Sequence, residues 1–486
     1  MAGWQCPLRL WYAINRPDLA PPPDEAQQAV FDMGHRIGEL ARERYPGGVL
    51  VDVDYRDIAG AVERTQELMA DPAVPAIHEA AVVHDGALTR VDVLARNGTG
   101  WDLIEVKASG SAKEHFAVDV AAQYWILTGA GIDVRHAGLL LLDREYVHPG
   151  GEYDLEALFR FEDLTDFCRD ASDAVSARVA GLQEVMAQAE PPPIDIGDQC
   201  HTPYECPFWA HCSAGLETPE HPIQILPGLR GSRLDGLLER GIETVPEIPP
   251  EYPLTPTQQR VRDATAAGQP WISPALRRAL EDVTWPLFFL DFEAVSLALP
   301  RHRGMRPFDQ LPFQYSCHVQ VHPDADIEHR EFLADGDADP RPSLAHSLLQ
   351  ALGDSGSIVV YSSYEKTTIR NLAGWLPELA PSLLALEDRL VDLYAIVRAH
   401  YYHPDFMGSY SIKSVLPALV PHMSYEGMEV ADGNEAGRVW LAMLEIDDQN
   451  DRARMDQALR DYCRMDSLAM HALREQLLLE SRRAAP

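Results

Sequence analysis

Residues 90–107 read RVDVLARNGTGWDLIEVK, two apolar-alternating runs on either side of Asn97-Gly98-Thr99-Gly100. That turn composition joins antiparallel strands. Asp92 lies in the first strand, and Glu105, Val106 and Lys107 close the second. Side chains alternate along a strand, so Glu105 and Lys107 share one face of the pleat while Val106 points the other way, into a core. Two carboxylates and an ammonium on one sheet repel or pair unless they are put to use. Carboxylate oxygens suit a hard cation such as Mg2+ or Mn2+, and a lysine beside them steadies developing charge or orients a water. An exposed hairpin with a surface ion pair is the plainer alternative.

Working outward, residues 76–83 (AIHEAAVV) are predicted as a strand, joined through His84-Asp85-Gly86 to the Asp92 strand. A helix is predicted over 115–129, followed by the apolar strand HAGLLLLD over 136–143. Upstream, Glu25 to Arg44 reads as a helix with Gly34, His35 and Gly38 near its centre. A glycine inside a helix costs roughly 1 kcal/mol relative to alanine, so this pair predicts close approach by another backbone. His35 taken alone reads more readily as a core or surface histidine than as a ligand. Glu79 is either a further ligand or an exposed strand glutamate.

This order of helix, three strands, helix and strand, with Asp on the second strand and Glu-x-Lys on the third, resembles the PD-(D/E)XK nuclease core. The branch it is most similar to is the RecB-like one, which includes the CRISPR-associated nucleases with an iron–sulfur cluster. The resemblance implies a restriction-endonuclease-like α/β domain, metal binding by His35, Asp92 and Glu105, and a catalytic role for Lys107. Gln123 falls where that branch has a glutamine followed four residues later by a tyrosine. Here the fourth position is Leu127, and Tyr124 is adjacent to Gln123.

The chain has 486 residues, enough for two to three domains. It holds 46% hydrophobic and 24% charged residues, as an ordinary globular protein does. No run of eighteen apolar residues occurs, and the start, MAGWQCPLRLWYAIN, lacks the apolar segment of a signal peptide, so a cytoplasmic location is expected. There, seven cysteines stay reduced or bind metal.

Residues 200–212 read CHTPYECPFWAHC, which places Cys200, Cys206 and Cys212 at equal spacing. Such a group in a reducing compartment points to a metal site. Cys6 is the natural fourth ligand, because its counterpart in the RecB-like iron–sulfur nucleases lies at the same extreme N-terminal place. Those families have a shorter gap between the first two of the three C-terminal cysteines; the longer gap here removes no ligand. Four thiolates fit a [4Fe–4S] cluster. Zinc, held by the four cysteines or by three of them with His201 or His211, is the other occupant, and the missing Cys-x-x-Cys hairpins favour the cluster. Cys168, Cys317 and Cys463 read as core cysteines.

Domain boundaries are predicted at 1–215, 216–280 and 281–486. The middle piece contains LRGSRLDGLLERGIETVPEIP (229–249), which suggests two short helices around a glycine, either a helix-hairpin-helix-like phosphate binder or a packing linker. In the last piece, WPLFFLDFEA (285–294) is an apolar strand ending in Asp291 and Glu293, whose carboxylates project from one face. Two acids at the end of a buried strand are expensive unless they hold a cation. A hairpin (313–334), a helix (341–352) and the strand of SIVVYSSYEK (357–366) follow, the order of an RNase H-like fold with a mixed sheet. Tyr462 and Asp466 lie four apart on a final helix, on one face.

This half resembles the DnaQ-like DEDD exonucleases. Asp291 and Glu293 match their first motif, and Tyr462 with Asp466 matches the tyrosine form of the third. The second motif usually ends in Phe-Asp, where this chain has Tyr364-Glu365, so Glu365 stands in for the aspartate, with Asp392 as a competing or additional carboxylate. The resemblance implies two-metal hydrolysis of a phosphodiester from a 3′ end, with Tyr462 orienting the water.

Net charge is −34, from 41 basic against 75 acidic residues, which argues against bulk adhesion to nucleic acid or an anionic membrane. Local cations must supply any such contact. Arg301, His302, Arg303 and Arg306 follow the Asp291 strand in a Pro/Gly-rich loop, and Lys413 closes Gly408-Ser-Tyr-Ser-Ile-Lys413; both stretches read as phosphate contacts or as solvated surface. The expected partner is DNA, with RNA second, and no membrane; no protein partner can be read. The leading expectation is a nuclease with two metal-dependent sites. The alternatives are an iron–sulfur nucleic-acid-binding module fused to one active exonuclease, and an acidic scaffold for a protein partner.

Overall fold

Two mixed α/β layers organise the chain in this computed structural model, which describes residues 1–217 and 219–483. Met1–Leu216 with Leu297–Asp309 forms one unit; the second comprises Glu217–Ser296 and the residues from Gln310 on. No described helix is long and apolar enough to cross a membrane.

The first unit is built on a six-stranded sheet: β1 (Val49–Leu50), β2 (Ala76–His84), β3 (Ala87–Asn97), β4 (Gly100–Lys107), β5 (Val134–Leu142) and β6 (Phe159–Asp163), in that spatial order. The hairpin read from residues 90–107 forms with Asn97 opposite Gly100. β5 then runs parallel to β4, its connection made by a helix. Ahead of the sheet lie α1 (Ala2–Gln5), α2 (Pro7–Asn15), α3 (Glu25–Glu43) and α4 (Ile58–Ala70); α5 (Glu114–Gly129) is the β4–β5 crossover. Ile37 and Leu40 of α3 bury with Val93, Ile104 and Leu140 on one sheet face. On the other face, Ala61 and Leu68 of α4 and Val120 and Leu127 of α5 pack with Leu94, Leu103 and Leu139. Each buried Val, Leu or Ile side chain contributes roughly 1.5–3 kcal/mol, so helix pairing on both faces fixes which strand residues point where.

The second unit carries a five-stranded sheet. Its strands are β8 (Leu287–Ser296), β9 (Gln310–Gln320), β10 (Ile327–Leu333), β11 (Ser357–Val360) and β12 (Leu390–Asp392), in the spatial order β10-β9-β8-β11-β12. β8, β9 and β10 are antiparallel neighbours, while β11 is parallel to both β8 and β12. A separate two-stranded ribbon pairs β7 (Trp271–Ile272) with β13 (Tyr401–Tyr402). The stretch expected to stand apart as a connector does not. Ile223, Leu226, Leu237, Val245 and Val261 bury together with Leu287 and Phe289 of β8 and Met470 and Leu473 of the long helix Gln449–Arg483. Its apolar residues complete one face of the sheet, which a self-contained linker could not have done.

Candidate functional site

In the first unit the β3–β4 ladder ends at Val93 opposite Ile104. Beyond that point Val106 donates its N–H to Asp92 Oδ2 (2.7 Å), so the carboxylate occupies the place of the next ladder bond. Glu105 accepts from Lys107 Nζ at Oε1 (2.6 Å) and from Gln123 Nε2 of α5 at Oε2 (2.7 Å). Lys107 Nζ also donates to Asp119 Oδ2 of α5 (2.9 Å). His35, Glu79, Asp92, Glu105 and Lys107 line one cleft of about 520 Å³.

The helix glycines have a different role from the one expected of them. A Cβ on Gly34 or Gly38 would meet nothing within 4 Å, so no backbone approaches there; both glycines instead border the cleft. Glu79 has φ +57°, and the β2–β3 register on either side of it sets it opposite Asp92. That strained backbone turns it into the cleft. Tyr124 of α5 packs against the core rather than lining the cleft.

Burial first, and then Glu105, push the Asp92 carboxyl well above its ordinary range. Burial also raises Glu105, against the pull of Lys107. Burial works against the Lys107 ammonium, but Glu105 and Asp119 outweigh it and its pKa is raised. A cation between Asp92 and Glu105 would relieve both acids, and their carboxylate oxygens suit Mg2+ or Mn2+. Asp119 was not foreseen, although it stands four residues before Gln123, on the same face of a helix.

Cys6, Cys200, Cys206 and Cys212 line a single pocket. Gln5 Nε2 donates to the carbonyls of Gln199 (2.7 Å) and Tyr204 (2.6 Å), and Trp11 Nε1 to that of Gln188 (3.0 Å). The Gln5 bonds hold the N-terminal helices to the cysteine loop, and the Trp11 bond holds them to the end of the helix Thr165–Met186. Burial raises the thiols of Cys206 and Cys212, and the neighbouring sulfurs add to it. A thiol-lined pocket of this kind could take a group that binds thiolates.

In the second unit Asp291 and Glu293 extend from β8, Glu365 from the first turn of the helix Tyr364–Trp375, and Tyr462 and Asp466 from the helix Gln449–Arg483. Glu293, Glu365 and Asp466 are buried. Burial and then Asp466, Glu293 and Glu365 drive Asp291 well above its ordinary range; burial and Asp466 do the same to Glu293. Glu365 is pushed up to about 8 by burial, with Asp392 and Asp466 adding, and its Oε2 is buried without a hydrogen-bond partner. Burial lifts Asp466 to about 6, against the hydroxyl of Tyr425, which donates to Oδ1 (2.5 Å). Four carboxylates, of which Asp466 raises the other three and Glu365 has an orphaned oxygen, are a donor set that divalent ions would satisfy.

Two expected phosphate contacts change place. Arg301, Arg303 and Arg306 belong to the first unit, not to the sheet that carries Asp291. Leu299 and Phe308 of that loop pack against the α3-side core, and Arg306 pairs with Glu145 (3.1 Å), so apolar anchoring decides where the loop goes. Lys413 is at the carboxylate centre itself. Its Nζ donates to the Ala431 carbonyl (2.7 Å), lies 5.9 Å from the ring centroids of both Tyr425 and Tyr462, and its charge draws Glu293 and Asp466 down. Asp392 caps the helix Leu393–His400, accepting from Ala395 N (2.9 Å), and reaches Glu365 through its charge. Tyr425 had no local signal, since it reaches Asp466 from a loop 41 residues away.

Residues 288–411 match a domain of unknown function (DUF2779), a stretch that contains Asp291, Glu293, Glu365 and Asp392 and stops short of Tyr462 and Asp466. No curated protein and no solved structure matches the chain.

Proposed function

We propose that this protein is a metal-dependent nuclease that hydrolyses phosphodiesters of DNA, with RNA as the second candidate. The observation that carries this reading is the convergence of Asp291, Glu293, Glu365 and Asp466 from three separate elements, with Tyr462 and Lys413 beside them. The strand order β10-β9-β8-β11-β12, with β8 to β10 antiparallel and β11 parallel, supports an RNase H-like, DnaQ-type assignment for the second unit. The Asp92, Glu105, Lys107 and Gln123 group supports a RecB-like PD-(D/E)XK assignment for the first.

Divalent ions held by the four acids would supply charge stabilisation at the attacking and leaving oxygens. Tyr462, buried beside Asp466, orients the attacking water. Lys413 offsets the negative charge of an entering phosphate. In the first unit Lys107 steadies developing charge, while Gln123 keeps Glu105 in position. The cysteine pocket ties residue 6 to residue 212 and acts as a staple for that unit.

A second reading, in which only the second unit cuts and the first binds nucleic acid, is favoured by the pairing of Lys107 with both Glu105 and Asp119. The test is a hydrolysis assay on 5′- and 3′-labelled single-stranded and duplex DNA and RNA, with Mg2+ and with Mn2+. Lys107→Ala and Asp291→Ala should each remove a distinct set of products. If Lys107→Ala leaves every activity intact and Asp291→Ala removes them all, the second reading stands. Complete inertness of the wild-type protein on all these substrates overturns both.

A further inference from the structure

Cys463 is not an ordinary core cysteine. Cys168 and Cys317 sit among apolar side chains in the two sheet cores, whereas the Cys463 thiol, fully buried, donates to Asp291 Oδ2 across 3.6 Å. Its sulfur, a carboxylate oxygen of Asp291 and one of Glu293 all lie within 4.8 Å of one another. The same centre holds the orphaned, buried Oε2 of Glu365, an acceptor that no protein donor satisfies. A thiol that only filled space would not need to face two carboxylates.

We propose that Cys463 Sγ is a ligand of the ion bound by Asp291 and Glu293, and that this soft donor makes the site select ions of the Mn2+ to Zn2+ series, which tolerate sulfur better, over Mg2+. The proposal rests on the metal-site part of the nuclease reading and adds the identity of the metal class. Hard Mg2+ takes oxygen ligands, whereas Mn2+, Co2+ and Zn2+ accept sulfur with increasing readiness. As the metal–sulfur bond forms, the thiol proton leaves to solvent and the hydrogen bond to Asp291 is given up, which frees that oxygen for the same ion. Helix geometry makes this natural. Cys463 is three residues from Asp466, so both face the β8 acids from one side of the helix Gln449–Arg483.

The experiment is a Co2+ titration of the metal-stripped full chain, wild type against Cys463→Ser and Asp291→Asn. The cysteine pocket of the first unit is common to all three, so difference spectra report the second unit alone. Wild type should show near-ultraviolet sulfur-to-cobalt absorption that is missing from both variants. In Cys463→Ser the Mn2+ over Mg2+ affinity ratio should fall about ten-fold or more. Identical spectra and an unchanged ratio in wild type and Cys463→Ser overturn the proposal. Should Cys463→Ser not fold, Cys463→Ala decides: the band must vanish there too, and its persistence is refuting. Because these readouts measure binding, they stand apart from the hydrolysis assay, whose failure would strike the nuclease reading instead.

Discussion

Gln123 Nε2 holds one oxygen of Glu105 at 2.7 Å while Lys107 Nζ holds the other at 2.6 Å. A buried carboxylate is thereby satisfied from two elements, α5 and β4, and its orientation is set before any ion arrives. Replacing Gln123 by Leu leaves an acceptor with no donor, which should destabilise the first unit by about 1–3 kcal/mol. Urea unfolding followed by tryptophan fluorescence measures this. An unchanged midpoint would mean the amide is dispensable.

Asp119 and Glu105 together raise the Lys107 pKa, so the pair stabilises the fold below the ordinary lysine pKa and that stability is lost as pH rises through the folded value. Asp119→Asn removes one of the two anions and should bring the ammonium's titration to lower pH. Nitrogen-15 shifts of labelled lysine report it directly. No movement would place the main influence on Glu105 alone.

Tyr425 donates to Asp466 and Tyr462 lies beside the same acid, yet the two hydroxyls should separate experimentally. Tyr425→Phe should weaken Mn2+ binding in the second unit by about ten-fold, because it loosens a ligand. Tyr462→Phe should spare binding and lower kcat. Calorimetric titration with steady-state kinetics tests the division, and equal effects of both substitutions on both quantities would defeat it.

Glu365 is raised to about 8 and Asp466 to about 6. Raised folded values bind protons that the unfolded chain has already released, so their stabilisation is complete below about pH 4 and lost as pH climbs to about 8. In the presence of EDTA the second unit should therefore lose stability across that window. Mn2+ should restore it most at the alkaline end, and Glu365→Gln should flatten the slope. Melting curves against pH would show this, and a slope that Glu365→Gln leaves unaltered would exclude Glu365 as its source.

Protein purified without oxygen should be brown, with broad visible absorption, and Cys206→Ser should bleach it and destabilise the first unit. Colourless protein carrying stoichiometric zinc would assign the pocket to zinc.

The sequence alone determined the chemistry-bearing strands. A two-residue period with paired acids marks Asp92, Glu105, Lys107, Asp291 and Glu293, because alternation along a strand is a local property. The same holds for Tyr462 and Asp466, whose spacing of four is read within one helix. Cysteine spacing likewise grouped Cys200, Cys206 and Cys212, while Cys6 joined them only through the family resemblance.

Only the tertiary structure decided which elements meet. It brought Asp119 to Lys107, Tyr425 and Lys413 to Asp466, and Cys463 to Asp291. It also put the arginine loop with the first unit and folded the supposed connector into the second unit's core. These choices follow from burying apolar residues such as Phe308 and Leu226 against partners far away in the chain. Hydrophobic burial is non-directional and scales with area, so a local window holds no record of the partner. Residues 90–107 announce a hairpin and its acids by themselves, and the helix that follows is legible too; that Asp119 on this helix reaches Lys107 is known only once the sheet has closed upon it.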